Sequence, residues 1–293
     1  MVVSSAQLRV TSNPSVVTVS TTSTPSVIAN MSVRSRTGPT AAQATLLGFT
    51  FQDAPKTLLL RAAGPALATL GVAGALPNPQ FVVRAGSQDF ANNDNWAESP
   101  PVSLAAGQVG AFPFANGSAD AAVVSTLSPG SWTLMVTSAT PASGITLTEL
   151  YDLDGTPGRD SRGSRLLNVS ARASVGAGDS VLIAGFTISG TDPKRVLIRA
   201  AGLTLIALGQ LDALLDPKLE LFRGSTMIGN NDNWGGSSTL LNAFRQVGAF
   251  SFLSRTSPDA AMIATLPPGN YTAQVSSTGV GTGTALLEVY ELP

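Results

Sequence analysis

Two loops of identical sequence contain the residue types that commonly surround calcium. Residues 92–95 and 230–233 both read Asn-Asn-Asp-Asn. Calcium takes six to eight hard oxygen ligands, and four oxygen-bearing side chains in one loop could supply several of them. Asp94 and Asp232 are the only charged groups in these loops, so the expected affinity is weak. The alternative is structural, because Asn and Asp also close tight Asx-turns. We expect no other cofactor.

The tryptophan that follows each loop has two interpretations. Trp96 and Trp234 could stack on sugar rings, which would make glycan a binding partner. Alternatively, each tryptophan plugs the end of an apolar core, where an aromatic side chain buries a large area. The sequence leaves both interpretations open.

Two arginines interrupt strongly apolar segments. Arg61 and Arg199 occur in Leu-Arg-Ala-Ala-Gly and Ile-Arg-Ala-Ala-Gly. A buried arginine needs a partner, and a bidentate carboxylate is the best one. Glu149 and Glu288 occupy equivalent places further along, so we predict the structural ion pairs Arg61–Glu149 and Arg199–Glu288. A catalytic role would require a second acid and a nucleophile nearby, and the sequence shows neither.

Composition argues against several classes of function. The chain of 293 residues has no histidine and no cysteine, the residues that most often act as general base, thiolate nucleophile or zinc ligand. We therefore predict that the protein is not an enzyme. The net charge of −1 and the scarcity of lysine provide no basic surface for nucleic acid. The apolar runs are too short to span a membrane.

The positions of these motifs follow from an internal duplication. Residues 60–64, 92–96 and 108–112 recur at 198–202, 230–234 and 246–250, each with an offset of 138. A period of this length is too long for a solenoid repeat. We therefore expect each copy to be a self-sufficient domain with its own core.

Within each copy the signals are mostly those of β-strands. Short apolar runs are bounded by Gly, Pro, Asn or Asp, and one short helix is predicted at 65–70 and again at 203–208. The predicted fold is all-β, with two tandem jelly-roll-like β-sandwich domains, each with one short helix, and an extended N-terminal arm. The boundaries are an arm at 1–27, a first repeat at 28–154, a linker at 155–165 and a second repeat at 166–293.

Several motifs resemble those of a known family. Asn-Val-Ser-Ala-Arg at 168–172, Gly-Phe at 185–186, the segment 196–202, Asn-Asp-Asn-Trp at 231–234 and Leu-Pro-Pro-Gly-Asn-Tyr at 266–271 are similar to β-sandwich repeats found in tandem near the ends of large secreted bacterial proteins. The last stretch also resembles bacterial pre-peptidase C-terminal domains. The resemblance covers both repeats but not the arm, and it implies surface display or binding without catalysis.

The arm has no counterpart in the second repeat. Two β-prone runs alternate apolar and polar residues, and we predict that Leu8, Val10, Val17 and Val19 are buried against a neighbouring copy of the chain. The alternatives are that the arm folds back on the first repeat or is a disordered stalk. The weakly charged, hydroxyl-rich composition favours association. We therefore expect a bacterial extracellular or cell-surface protein that forms a filament or array with copies of itself. The alternative function is a secreted glycan- or calcium-binding accessory module of a larger surface protein.

Overall fold

The computed structural model describes residues 26–154, 165–176 and 180–293. The four predicted assembly residues of the arm, Leu8, Val10, Val17 and Val19, lie outside the described residues, as does residue range 155–164 of the predicted linker. The first described strand begins at Val27, the last residue that the sequence assigns to the arm.

Within residues 26–154, the first repeat has eight β-strands, two α-helices and one 3-10 turn. The strands are β1 (Val27–Thr37), β2 (Thr45–Phe51), β3 (Lys56–Ala63), β4 (Pro79–Ala85), β5 (Gln88–Asn93), β6 (Ala121–Leu127), β7 (Gly130–Ser138) and β8 (Gly144–Asp152). The helices are α1 (Pro65–Thr69) and α2 (Pro100–Val109), and the 3-10 turn is Ala41–Gln43.

The described part of the second repeat has the same order of strands and α-helices. Its strands are β9 (Leu166–Val175), β10 (Leu182–Ser189), β11 (Lys194–Ala201), β12 (Pro217–Arg223), β13 (Thr226–Asn231), β14 (Ala260–Leu266), β15 (Gly269–Ser277) and β16 (Gly283–Glu291). Its helices are α3 (Leu203–Ala207) and α4 (Ser238–Gln246). Each strand of the first repeat therefore has a counterpart eight strands later.

The strands form where the sequence supplies the required apolar pattern. In β2, the side chains of Leu47, Phe49 and Phe51 are buried and alternate with partly exposed residues, as in a strand with one face on a core. In β3, by contrast, residues on both faces are buried, from Leu58 to Ala63. A second layer of structure must therefore cover the outer face of β3.

Antiparallel pairing arranges the strands of the described residues in two runs of eight. One run is β6-β3-β8-β1-β10-β15-β12-β13, and the other is β14-β11-β16-β9-β2-β7-β4-β5. Half of each run comes from each repeat. At the two junctions Met31 lies opposite Phe186, and Phe49 lies opposite Val169. β1 and β9 are also bridged to each other in parallel.

One apolar core spans both repeats. Val33 and Phe49 of the first repeat belong to the same buried cluster as Val169 and Phe186 of the second. The expectation that each repeat has a separate main core is therefore wrong. The cause is the pairing of β1 with β10 and of β9 with β2, which carries both runs of strands across the repeat boundary and merges their apolar faces.

Each repeat has two α-helices among its described residues, not the single one predicted. α1 and α3 are the predicted helices, and each is followed by a glycine (Gly71 and Gly209) with a positive φ of 85° and 93°. α2 and α4 were not predicted. The sequence of α2 suggests a loop because it begins with two prolines. Proline is nevertheless tolerated in the first turn of a helix, where backbone N–H groups have no acceptor within the helix. Among the described residues, no helix is both long and apolar enough to cross a bilayer.

The unpredicted helices cover two smaller cores on the outer faces of β3 and β11. The first outer core contains Leu59, Ala63, Trp96, Val102, Ala106 and Phe114, with other side chains. The second contains Leu197, Ala201, Trp234, Ala243, Phe244 and Phe252, with other side chains. Unlike the main core, each outer core is built from a single repeat.

Candidate functional site

The two predicted ion pairs lie in the outer cores. Strand alternation in β3 points Leu58 and Leu60 into the main core and points Arg61 into the first outer core, where its side chain is 1% exposed. Glu149 lies directly opposite Arg61 in the neighbouring strand β8. The structure places Arg61 Nε 3.4 Å from Glu149 Oε2.

The second repeat has the same arrangement. Arg199 in β11 lies opposite Glu288 in β16, and Arg199 Nη1 is 3.5 Å from Glu288 Oε2. A tyrosine two residues after each glutamate completes the group. Tyr151 and Tyr290 each donate a hydrogen bond of 2.6 Å from the hydroxyl to Oε1 of that glutamate.

Aromatic rings enclose both guanidinium groups, and this feature was not predicted. The Cζ atom of Arg61 lies 4.5 Å from the ring centre of Phe112 and 4.0 Å from that of Phe114. Arg61 Nη2 also donates to the backbone oxygen of Phe112, at 2.9 Å. Cation–π attraction is strongest in such desolvated places. The repeated block Gln-Val-Gly-Ala-Phe at 108–112 and 246–250 was the available sequence signal.

Three rings surround the second arginine. Arg199 Cζ lies 4.3 Å from the ring centre of Phe244 and 4.4 Å from those of Phe250 and Phe252. The three guanidinium nitrogens make no hydrogen bond to any described residue, so the rings and Glu288 provide the balancing contacts.

Burial dominates the electrostatics of both groups. It raises the pKa of Glu149 and of Glu288, and the neighbouring arginine only partly offsets this effect. It also lowers the pKa of Arg199, against the influence of Glu288. Burial and the adjacent carboxylate together raise the pKa of Tyr151 well above its usual range. Each group thus combines a buried arginine and a buried glutamate with a partly exposed tyrosine.

The two loop tryptophans are part of the outer cores. Trp96 is 6% exposed and Trp234 is 5% exposed. The ring of Trp96 meets Phe114 edge-on at 6.1 Å between centres, and Trp234 lies 5.6 Å from both Phe244 and Phe252. Because the indole rings face the protein interior, these residues do not offer a sugar-stacking surface.

The Asn-rich loops place their acidic residues in solvent. Asp94 and Asp232 are exposed, whereas the asparagine before each has a structural role. Asn93 Oδ1 accepts the backbone N–H of Ala122 at 2.9 Å, and Asn231 Oδ1 accepts that of Ala261 at 2.8 Å. Among the described residues, no group of three or more Asp or Glu side chains is placed to hold a metal ion.

Two buried carboxylates that were not predicted connect loops to helices. Asp120 accepts the backbone N–H of Gly64 at 2.6 Å, and Asp259 accepts that of Gly202 at the same distance. Both bonds lie immediately before a short helix, where backbone donors have no intrahelical partner. The recurrence of Asp-Ala-Ala at 120–122 and 259–261 was the sequence signal.

A second set of buried ion pairs lies at the start of β3 and β11. Lys56 Nζ is 2.6 Å from Asp152 Oδ2, with side chains 0% and 4% exposed. The counterpart joins Lys194 Nζ to Glu291 Oε2 at 2.8 Å. Glu291 Oε1 also accepts the backbone N–H of Ile28, at 3.0 Å, which connects the end of the second repeat to the start of the first.

Comparison with known proteins identifies no family. No protein-family model and no curated protein matches the sequence. Among solved structures, the chain is similar to a chain in the atomic structure of Sulfolobus Turreted Icosahedral Virus, with 11% identity, a TM-score of 0.23 and 90% of each chain covered. It is also similar to a DUF4785 family protein from Legionella pneumophila, with 9% identity, a TM-score of 0.25, and coverage of 92% of this chain and 81% of that one. TM-scores this low carry no argument about function.

Proposed function

We propose that this protein is a non-catalytic structural subunit of the bacterial cell surface or exterior, and that it assembles with copies of itself by strand addition. The observation that carries the proposal is a pair of equivalent open sheet edges, one in each repeat. The proposal includes the inference that each repeat is a jelly roll. It is supported by the strand orders β1-β8-β3-β6 and β2-β7-β4-β5 in the first repeat, and by the equivalent orders β9-β16-β11-β14 and β10-β15-β12-β13 in the second.

Four strands end the two runs of described strands, β5, β6, β13 and β14, and of these only β5 and β13 carry large exposed apolar side chains. Among the described residues, β5 pairs only with β4, and β13 pairs only with β12. Each therefore leaves one row of backbone N–H and C=O groups free to pair with an added strand. Because β5 belongs to the first repeat and β13 to the second, one subunit offers two similar acceptor edges.

The side chains on these edges favour pairing. Phe90 in β5 is 56% exposed, and in β13 Met227 and Ile228 are 45% and 46% exposed. Edge strands that avoid association usually carry charged residues or proline. β13 has no charged residue, and β5 has one, Asp89.

The N-terminal arm supplies the added strand in this proposal. The sequence predicts two β-prone runs in which Leu8 and Val10, then Val17 and Val19, fall on one face of each run. The 25 residues before Ser26 would reach about 80 Å if fully extended, at roughly 3.3 Å per residue. One arm and two acceptor edges on each subunit suit open-ended, head-to-tail growth.

The test compares the full chain with a chain lacking residues 1–25 and with the edge variant Ile228→Lys. Val280→Lys is the matched control, since Val280 is 94% exposed and lies outside the strands. Electron microscopy and light scattering should show polymers for the full chain and for Val280→Lys, and far fewer for the other two. Circular dichroism checks that every variant is folded. Equal polymerisation by the truncated chain, or no polymer from the full chain, would contradict the proposal.

A further inference from the structure

The first outer core contains a cavity that the second repeat fills with a side chain. The cavity has a volume of about 310 Å³ and lies between α2, Arg61, Trp96 and the segment 111–114. The exposed residues Ser103, Gly107 and Pro113 line its outer part, so a small molecule can reach it from solvent.

Each residue of α2 that lines the cavity has a larger counterpart in α4. The offset of 138 pairs four residues of α2 with four of α4: Val102 with Leu240, Ser103 with Leu241, Ala106 with Phe244, and Gly107 with Arg245. The cavity is therefore explained by side-chain volume that α4 has and α2 lacks.

The largest difference is between Ala106 and Phe244. Phe244 is 1% exposed, and its ring centre lies 4.3 Å from Arg199 Cζ and 5.1 Å from the ring of Phe252. It forms one side of the aromatic enclosure around Arg199. At the equivalent place beside Arg61 there is only the methyl group of Ala106, so the first enclosure lacks this ring.

Two residues that line the cavity have buried hydrogen-bond donors without an acceptor. Arg61 Nη1 and Trp96 Nε1 make no hydrogen bond to any residue that the structure describes. The counterpart of the indole, Trp234 Nε1, does donate a bond, to the backbone oxygen of Ser254 at 3.2 Å. A buried donor without a partner is unfavourable, so an occupant that places an oxygen acceptor beside Trp96 Nε1 would be stabilised here.

The charges favour a neutral occupant. Arg61 is already paired with Glu149, and the two together are close to neutral. A carboxylate in the cavity would leave one uncompensated negative charge away from water, which is costly. A carbonyl or ether oxygen would satisfy a donor without this penalty.

We propose that this cavity binds a small, neutral aromatic molecule that carries an oxygen acceptor. Its ring occupies the place that Phe244 fills in the second repeat, and its oxygen accepts a hydrogen bond from Trp96 Nε1. The size is suitable, because a cavity of about 150 Å³ already holds benzene. The cavity of about 310 Å³ therefore admits one ring with a short substituent.

The first experiment titrates three probes of similar size into the full chain by calorimetry and ligand-observed NMR. Acetophenone has a ring and a neutral acceptor, ethylbenzene lacks the acceptor, and benzoate carries a charge. We expect acetophenone to bind one site with a Kd of about 1 mM or tighter, and the other two at least about tenfold more weakly. No acetophenone binding up to about 5 mM, or tighter binding of benzoate, would overturn the proposal.

The second experiment locates the site. Ala106→Phe introduces the side chain that the second repeat carries, and it should weaken acetophenone binding at least about tenfold. Leu104→Phe is the matched control, because Leu104 is 67% exposed on the same helix and does not line the cavity. It should bind acetophenone like the parent. Unchanged binding by a folded Ala106→Phe variant would overturn the proposal.

Further variants test whether the ring and the acceptor of the ligand each contribute to binding, and whether another occupant fills the cavity. Trp96→Phe keeps a ring but removes the indole donor, so it should weaken acetophenone binding more than ethylbenzene binding. Phe244→Ala should create a second acetophenone site if the variant stays folded. A different result would overturn the proposal: the full chain self-associates, Ala106→Phe abolishes this self-association, and acetophenone does not bind. The occupant of the cavity would then be an aromatic side chain from a second copy, such as the exposed Phe90.

Discussion

Replacing Arg199, the cation of the second outer core, should make the free energy of unfolding depend on pH by an amount that can be calculated. In Arg199→Met, the carboxyl group of Glu288 remains 5% exposed and loses its ion pair of 3.5 Å. The comparator is Arg199→Met combined with Glu288→Gln. Glutamine has the same shape and keeps an oxygen to accept from Tyr290, so the two variants differ mainly in one ionisable group.

The size of the effect follows from the proton that Glu288 can take up. Its reference pKa is 4.5, and burial raises the pKa in the folded state. Holding this carboxyl neutral at pH 7, about 2.5 units above the reference, costs about 3.4 kcal/mol at roughly 1.36 kcal/mol per unit. The single variant should therefore be less stable than the comparator by up to about 3.4 kcal/mol at pH 7 and only about 0.8 kcal/mol at pH 5.

The sign follows from proton uptake. An acid with a raised pKa binds more protons in the folded state than in the unfolded state, so the free energy of unfolding falls as pH rises above 4.5. Guanidinium chloride unfolding of both variants at several pH values between 5 and 7 measures the difference. A difference that stays constant over this range would refute the reasoning, because it would mean that Glu288 is not desolvated.

The remaining predictions concern buried residues that recur in both repeats. Lys56→Met should lower the free energy of unfolding by about 3–5 kcal/mol. Lys194→Met should lower it by less, because the side chain of Lys194 is 16% exposed and that of Lys56 is fully buried. Equal losses for the two variants in urea unfolding would contradict this order. A Cβ atom on Gly64 would lie 2.1 Å from a backbone oxygen, and one on Gly202 would lie 2.0 Å from another. Alanine at either position should therefore lower the Tm by more than about 5 °C. A Tm equal to that of the parent protein would disprove the close approach. Asp259→Ala should cost about 1–3 kcal/mol, because it leaves the N–H of Gly202 unpaired, and calorimetry should show partial recovery in Asp259→Asn.

The partners of the buried arginines could be identified from the sequence, but their surroundings could not. Strand alternation and a fixed offset were enough to pair Arg61 with Glu149, because both residues lie within regular strands. The rings of Phe112 and Phe114 lie in the segment after α2, a helix that the sequence did not predict. Without that helix, the repeated block that contains Phe112 does not by itself place the two rings over the guanidinium group.

The shared main core was not predictable from the apolar pattern for a different reason. The alternation in β1 requires a buried face but does not specify the neighbouring strand. Met31 and Val33 of β1 face the main core, and this alternation is required whichever strand lies beside β1. The choice between partners is a long-range property of the chain, and both choices satisfy the same local pattern.

The separation between main and outer cores also explains where the two repeats could diverge. A change of volume in the main core affects side chains of both repeats, because one close-packed cluster contains them all. The buried side chains of each outer core come from one repeat alone, so the difference between Ala106 and Phe244 alters one enclosure and leaves the other intact. A duplicated fold of this kind can keep its framework fixed while one copy loses a ring and gains a cavity. The cavity is therefore expected in an outer core, which is where it occurs.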